Sequence, residues 1–190
     1  MRCRSHCYHR RNLQVTEWYQ IVQQSEGSMW ICIGLKPLNQ SVLHEVHPIP
    51  KVDTALAQLA RATMFSKIDT SSGIWQIPSA NKSHPLTTFI TPYGRYFFNK
   101  LPFGISCAPE LFQQRVNKIL DSLKGVVYLM DNTLVFGSNQ AEHDQRLIAT
   151  LERIKITRVT LNKDKCKFNV NSVTFLGHIV NKEGIRADLE

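Results

Sequence analysis

The sequence lacks any apolar run long enough to cross a bilayer, and this absence excludes a membrane-spanning helix. Its longest apolar runs, residues 125–130 and 133–136, fall far short of the ~20 residues that a spanning helix needs. No apolar stretch follows the basic and polar residues 1–12, so we expect no secretory signal. These absences favour an intracellular protein, in the cytoplasm or the nucleus, without a membrane partner.

Cysteine is scarce and scattered, which excludes a disulfide framework. The five cysteines are odd in number and widely spaced, as in a reduced intracellular chain. Cys3, Cys7 and His9 have no matching second pair of metal ligands, so an unstructured basic end is favoured over a zinc site there. Internal repeats and low-complexity tracts are also absent, which excludes a solenoid.

The composition of the sequence is typical of a globular protein, with an excess of positive charge. Its 190 residues are 43% hydrophobic and 20% charged, enough for one domain with a real core. Lys and Arg number 23 against 15 Asp and Glu, which gives a net charge of +8. This excess favours a polyanionic partner such as nucleic acid, although many basic proteins bind no polyanion.

Residues 1–28 form a basic segment with little periodic pattern, and we predict that residues 29–190 form the folded domain. Apolar side chains at helical spacing predict long helices over 109–123 and 140–156, the second with a capping box of Asn139 and Glu142. A shorter helix is predicted over 53–62, and strands over 64–68, 74–77, 86–91, 96–99 and 173–180. Because strands and helices mix without regular βαβ alternation, the pattern predicts an α+β fold.

Two acidic residues follow or separate the predicted strands. The apolar residues 125–130 and 133–137 flank Asp131-Asn132, a pair typical of a hairpin turn, which would place Asp131 at an exposed tip. Asp69 ends the strand over 64–68 and precedes a turn of small residues. Each aspartate has a plain alternative as a turn residue, but two carboxylates on adjacent strands would suit Mg²⁺ ions that serve phosphoryl chemistry.

A series of motifs in a fixed order gives these carboxylates a family context. The chain resembles the fingers–palm part of the reverse transcriptase, an RNA-directed DNA polymerase, of Ty3/gypsy-type long-terminal-repeat retrotransposons. The matching stretches are residues 34–39, 47–51, 65–77, 87–95, 101–113, 126–137, 161–166 and 175–178.

The resemblance implies a right-hand polymerase, with an antiparallel palm sheet packed on helices and fingers inserted from the N-terminal side. It implies nucleotidyl transfer from a dNTP on an RNA or DNA template–primer, with two Mg²⁺ (or Mn²⁺) ions. Asp69 and Asp131 would be the metal ligands, and Asn132 would complete the catalytic set. The thumb and ribonuclease H parts of the family are expected to lie outside this sequence.

The resemblance also assigns binding residues. Those expected at the nucleotide are Thr70, Ser71, Ser72, Gly73, Ile74, Phe103 and Gly104. Those expected at the nucleic acid are Pro102, Gln113, Lys163, Lys165 and Lys167. For the three lysines, phosphate contacts and a solvated basic face are equally good interpretations.

The chain departs from the family pattern at four functional positions. Asn132 stands where the family has a second aspartate, and a neutral amide is a poor Mg²⁺ ligand. Gly34 replaces an aspartate, Trp30 an arginine that grips the triphosphate, and Ile74 an aromatic residue that screens the sugar. These changes predict weak or absent catalysis, and they leave two alternatives open: a silent nucleic-acid-binding domain, or the product of a decayed element without a role.

Overall fold

The computed structural model describes residues 19–23, 29–43 and 52–188. Cys3, Cys7, His9 and most of the predicted basic segment lie outside the described residues. The elements are β1 (Tyr19–Gln23), β2 (Met29–Ile33), α1 (Lys36–Asn39), α2 (Val52–Ala57), β3 (Met64–Asp69), β4 (Phe89–Thr91), β5 (Gly94–Tyr96), α3 (Ala108–Leu120), β6 (Val126–Leu129), β7 (Asn132–Gly137), α4 (Gln140–Thr157), β8 (Lys167–Val170), β9 (Ser172–Phe175), β10 (His178–Asn181) and β11 (Gly184–Ala187). Two 3-10 helices span Gly73–Gln76 and Asn81–Thr87.

The chain divides into two compact units, residues 1–46 with 74–111 and residues 47–73 with 112–190. The first unit holds two antiparallel hairpins, β1–β2 and β4–β5. Its short helix α1 carries Asn39, whose side-chain amide donates a hydrogen bond to the carbonyl of Gly104 (2.7 Å) and accepts one from the N–H of Ser106 (3.0 Å). These two bonds fix the loop that follows Leu101.

The second unit is built on a four-stranded antiparallel sheet with the order β6-β7-β3-β8. In the central pair, β3 and β7, Met64 lies opposite Gly137 and Asp69 lies opposite Asn132. A second sheet of β9, β10 and β11 belongs to the same unit. The register therefore brings the end of β3 to the start of β7, where the two predicted catalytic segments meet.

Alternation along the strands gives this sheet two covered faces. Phe65, Val127 and Leu134 are buried on one face in a cluster with apolar residues of α2, β9 and β10. Ser66 and Val135 are buried on the other face, against which α4 packs. Burial on both faces pins the register, since a slip by one residue would exchange the two sets of side chains.

A buried polar network joins α4 to the sheet. His143, which is fully buried, lies with its Nε2 2.9 Å from Oγ of Ser66. The same hydroxyl accepts the N–H of Asn169 (3.0 Å), a residue with a φ of 55° in the bulge where β8 pairs with β3. The network therefore fixes the irregular start of β8 as well as the position of the helix.

The predicted α+β fold and its main elements are confirmed. The strand over 64–68 and the helices over 109–123 and 140–156 correspond to β3, α3 and α4. Asn139 caps α4 by accepting the N–H of Glu142, although the Glu142 carboxylate bonds Ser138 rather than Asn139. None of the helices in the described ranges is long and apolar enough to cross a membrane.

Four expectations for local structure are wrong. Residues 74–77, expected as a strand, lie mostly in the 3-10 helix over Gly73–Gln76. Residues 86–91 are a strand only from Phe89, and 96–99 only at Tyr96. The single strand expected over 173–180 is a hairpin of β9 and β10, because Leu176 and Gly177 both take positive φ values, which turn the chain back on itself.

Candidate active site

Asp131 lies in a two-residue turn between β6 and β7. Leu129 pairs with Asn132, so the turn consists of Met130 and Asp131, one residue earlier than the Asp131-Asn132 turn expected from the sequence. Met130 takes a φ of 53°, a left-handed conformation that costs a non-glycine residue roughly 1–2 kcal/mol. Strain of this kind persists only where neighbouring groups impose it.

The sequence suggested that the carboxyl group of Asp131 lies at an exposed tip, and this expectation is wrong. The residue is partly buried, and its Oδ1 is buried without a hydrogen-bond partner among the described residues. Burial, and then the neighbouring Asp69 carboxylate, raise the pKa of Asp131, while the cationic Lys165 acts in the opposite direction. A buried carboxylate oxygen that lacks a partner is a candidate cation ligand.

Gly73 packs closely against this carboxylate and the ring of Phe112. A methyl group placed on Gly73 would lie 2.5 Å from Oδ1 of Asp131 and 2.6 Å from Cε2 of Phe112, closer than atoms in van der Waals contact. The φ of Gly73 is not positive, so glycine is needed here for space and not for backbone freedom. The sequence placed Gly73 at the nucleotide, and in the structure it lines the Asp131 carboxylate.

Asp69 and Asn132 lie side by side on the adjacent strands β3 and β7. They are directly opposite in the β3–β7 register, which places their side chains on the same face. The backbone of Asp131 is tied to the residue after Asp69, because the N–H and the hydroxyl of Thr70 donate to the Asp131 carbonyl at 3.2 and 3.0 Å. The structure thus brings the three predicted catalytic residues together in one unit.

The turn that follows Asp69 is ordered by a second segment. The N–H of Ser71 donates to the carbonyl of Thr160 (3.0 Å), and Ser72 is exposed with a φ of 48°. Thr70, Ser71 and Ser72 were expected at the nucleotide, and they lie in the second unit between Asp69 and Gly73.

Gln113 does not have the position expected of a nucleic-acid contact. Its side chain is fully buried, its Oε1 accepts the N–H of Met130 (2.8 Å), and its Nε2 donates to Asn117 (2.8 Å). It therefore holds the strained turn that carries Asp131. Pro102 is also buried, so neither side chain can reach a nucleic acid from its place in the structure.

Replacing Gln113 with Leu is expected to lower the free energy of unfolding by about 1–3 kcal/mol, because the N–H of Met130 would lose its buried acceptor. Chemical denaturation measures the change. Gln114→Leu is the matched control, since it makes the same chemical change at the next position of α3. Equal effects of the two substitutions would contradict the assigned role of Gln113.

The three predicted lysines are exposed, and a fourth lysine joins them. Lys163, Lys165 and Lys167 are all exposed in the second unit. Lys167 lies directly opposite Lys67 of β3, two residues before Asp69. Like charges directly opposite are destabilising, so this pair contributes unfavourably to the pairing of β3 with β8. Lys67 could not be predicted beside these lysines, because its pairing with Lys167 depends on a bulge that no local sequence pattern indicates.

The remaining predicted residues belong to the first unit. Ile74 is partly buried in the 3-10 helix, and the ring of Phe103 lies 5.1 Å from that of Trp75. Gly104 is exposed with a φ of 90°. Trp30 lies in β2 opposite Val22. The structure does not test the roles that the sequence suggested for these residues.

Solved structures identify the class of fold. The chain superposes on the foamy viral protease-reverse transcriptase in complex with double-stranded DNA with a TM-score of 0.83, over 96% of this chain and 38% of that one at 21% identity. A second structure, of the foamy viral enzyme with an RNA/DNA hybrid, gives a TM-score of 0.79 over 87% of this chain and 22% of that one at 22% identity. The fold is that of a right-hand polymerase, in its fingers–palm part.

The family model for the reverse transcriptase (RNA-dependent DNA polymerase) matches residues 27–180, and the chain belongs to this family. It is similar to the transposon Tf2-7 polyprotein of Schizosaccharomyces pombe, with 31% identity over 86% of this chain, and to the Tf2-3 polyprotein of the same yeast, with 30% identity over 86%. The chain spans 12% of the length of these polyproteins. The resemblance to retrotransposon reverse transcriptases is therefore confirmed.

Proposed function

We propose that the second unit is the palm of an RNA-directed DNA polymerase, in which Asp69 and Asp131 hold divalent cations during template-primed nucleotidyl transfer. The observation that carries this proposal is the buried Oδ1 of Asp131, which has no hydrogen-bond partner among the described residues and lies against Gly73. An acidic pair of this kind has no evident structural use, because like charges at close range destabilise the fold.

The residues present fit a magnesium or manganese ion. Carboxylate oxygens are the ligands that these ions prefer, and Mg²⁺ in phosphoryl-transfer sites is held by one or two carboxylates together with substrate phosphates. The described residues contain no cluster of three or more His, Cys, Asp or Glu side chains suited to a metal, so Asp69 and Asp131 are the two acidic ligands proposed. Bound cations would activate a primer 3′-hydroxyl and stabilise the leaving pyrophosphate.

The protein's own residues do the positioning. Gln113 and Thr70 fix the turn that carries Asp131, through the Met130 N–H and the Asp131 carbonyl. The strand register places Asp69 beside that turn. The partly buried Lys67, two residues before Asp69, and the exposed Lys167 opposite it supply positive charge, where the phosphates of a template–primer would lie. Foamy viral relatives of this fold are known in complex with double-stranded DNA and with an RNA/DNA hybrid, which supports this choice of ligand.

Asn132 is the position that limits this activity. It lies opposite Asp69 on the same face of the sheet, so a carboxylate there would add a third negative charge to the metal site. Its amide is neutral and leaves the site with two carboxylates. We infer that catalysis by this chain is weak, and that the loss of charge at this position is the main cause.

Asn132→Asp is therefore expected to raise primer extension by about tenfold, the effect of ~1.4 kcal/mol of added transition-state stabilisation. The assay is extension of oligo-dT on poly-A, in Mg²⁺ and then in Mn²⁺, beside Asp69→Ala, which should give none. Asn181→Asp is the matched control, because it adds the same charge in β10 and keeps the acceptor for the Glu183 N–H. Equal extension by Asn132→Asp and Asn181→Asp would contradict the proposal.

The neutral amide of Asn132 also favours a second candidate function, a nucleic-acid-binding domain without catalytic activity. It would show salt-dependent binding of template–primer, without extension by the wild type or by Asn132→Asp. Filter binding at two salt concentrations, run on the same samples, separates the two functions.

A further inference from the structure

The backbone of Asp69 has no strand partner on the β8 side. Strand β8 begins at Lys167, opposite Lys67, so the pairing stops before it reaches Asp69. Two other groups take up the free backbone positions. The N–H of Asp69 donates to Sγ of Cys166 (3.4 Å), and its carbonyl accepts the N–H of Asn162 (2.9 Å). The thiol of Cys166 also lies 3.9 Å from the same carbonyl, within the range of a weak S–H donor.

These contacts come from one folded segment, residues 160–166, which we call the clamp segment. The N–H groups of Cys166 and Lys165 donate to the carbonyl of Asn162 at 3.1 and 3.3 Å. The side chain of Asn162 accepts the N–H of Asp164 (3.2 Å). The segment thus forms a tight turn that carries the thiol to the end of β3. It contacts the end of β3 and the two residues after it at main-chain positions of Asp69, Thr70 and Ser71.

We propose that Cys166 is a positioning residue for the metal site, because its sulfur replaces the missing strand partner of Asp69 and so fixes the direction of that carboxylate toward Asp131. This inference rests on the proposed function of Asp69 as a metal ligand. A residue that orients a ligand through its backbone affects metal affinity without touching the metal.

The chemistry of the contact explains why a cysteine suits this place. The thiol is partly buried, and it can accept the Asp69 N–H while offering its own proton to the Asp69 carbonyl. A serine oxygen can also accept the N–H, but from a shorter side chain. Alanine offers no acceptor, so the N–H of Asp69 would be left without a partner in a partly buried place.

The test compares Mn²⁺ affinity, measured by electron paramagnetic resonance on the full chain, between the wild type, Cys166→Ala and Cys166→Ser. Cys166→Ala is expected to bind Mn²⁺ about tenfold more weakly, and Cys166→Ser to recover most of the loss. Hydrogen exchange of the Asp69 amide in metal-free protein is the second readout, and it should accelerate in Cys166→Ala and not in Cys166→Ser.

Val170→Ala is the matched control for a general loss of stability. Val170 lies in β8, four residues after Cys166, packs against the apolar cluster of the second unit and pairs with Phe65 rather than with Asp69. It should lower the melting temperature at least as much as Cys166→Ala and leave the Mn²⁺ affinity unchanged. Equal loss of Mn²⁺ affinity in the two variants would overturn the positioning role.

The outcomes distinguish this inference from the proposed function. If Asp69→Asn weakens Mn²⁺ binding and Cys166→Ala does not, the metal site stands and the role of Cys166 is wrong. If the wild type binds Mn²⁺ no better than Asp69→Asn, the metal site itself is wrong and the positioning role falls with it. Accelerated amide exchange together with weaker Mn²⁺ binding in Cys166→Ala, and rescue of both by serine, is the result that supports it.

Discussion

Replacing Asp131 with Asn is expected to weaken Mn²⁺ binding by on the order of 100-fold and to stabilise the metal-free fold at neutral pH. The affinity falls because one of two carboxylates is lost from a site that has no other acidic cluster among the described residues. The metal-free fold becomes more stable because a partly buried negative charge beside Asp69 is removed. A purely structural aspartate would show the opposite pattern, with loss of stability and no change in metal binding.

The sign of the stability change follows from the raised pKa of Asp131. A carboxyl group whose pKa is higher in the folded state binds more protons there, so stability falls as the pH rises from the ordinary value, 3.8, through the folded-state pKa. At pH 7 the ionised group is therefore a cost to the fold. Because Asp131 is partly exposed, solvent screens the repulsion, and we expect Asp131→Asn to gain only about 1 kcal/mol.

Thermal unfolding at pH 7 and again below the ordinary carboxyl pKa measures this effect. The gain from Asp131→Asn should be present at pH 7 and vanish at the lower pH, where the wild-type carboxyl is protonated in both states. The backbone of the turn is not a complication, since Thr70 binds the carbonyl of residue 131 and not its side chain. A loss of stability at pH 7 would contradict the assignment of Asp131 as a strained functional carboxylate.

Gly73→Ala is expected to lower the free energy of unfolding by about 1–3 kcal/mol and to abolish Mn²⁺ binding. The added methyl group would lie 2.5 Å from Oδ1 of Asp131 and 2.6 Å from Cε2 of Phe112, so the carboxylate or the ring must move. A shift of Asp131 moves a proposed cation ligand out of the site. Denaturation and Mn²⁺ titration of the same preparation record both effects.

Gly177→Ala is the control for this substitution. Gly177 has a positive φ of 73°, but a methyl group there meets no atom within 4 Å. It should therefore cost roughly 1 kcal/mol of backbone strain and leave Mn²⁺ binding intact. Mn²⁺ affinity that falls equally in both variants, or in neither, would show that the packing of Gly73 against Asp131 does not position a cation ligand.

Much of the second unit could be predicted from the sequence, because its elements follow strong local patterns. The alternation in residues 64–68 and the helical spacing in 140–156 each match one element. The helix N-cap at Asn139 could be predicted because capping also follows a local sequence pattern. Residues 74–77 were wrongly predicted as a strand because Ile74, Trp75 and Ile77 have high β propensity. In the structure the N–H of Ile77 donates to the carbonyl of Ile74, a hydrogen bond that closes a helical turn.

The two carboxylates of the candidate site could be predicted from the sequence, but the residues that hold them in position could not. Asp69 was predicted at a strand end and Asp131 in a hairpin turn, the resemblance implied that both are metal ligands, and the register brings the two segments together. The turn itself lies one residue earlier than expected, since methionine has no preference for a positive φ and Gln113 on another element imposes it. Cys166 contacts Asp69 across 97 residues of sequence, and no local pattern encodes such a contact.

The most direct test of the central claim is a Mn²⁺ titration of the wild type, Asp69→Asn, Asp131→Asn and the double variant, followed by electron paramagnetic resonance. If the two aspartates form one cation site, the wild type binds Mn²⁺, each single variant loses most of the affinity, and the double variant loses little more, because ligands of one site are not additive. Binding by either single variant with wild-type affinity would contradict the account.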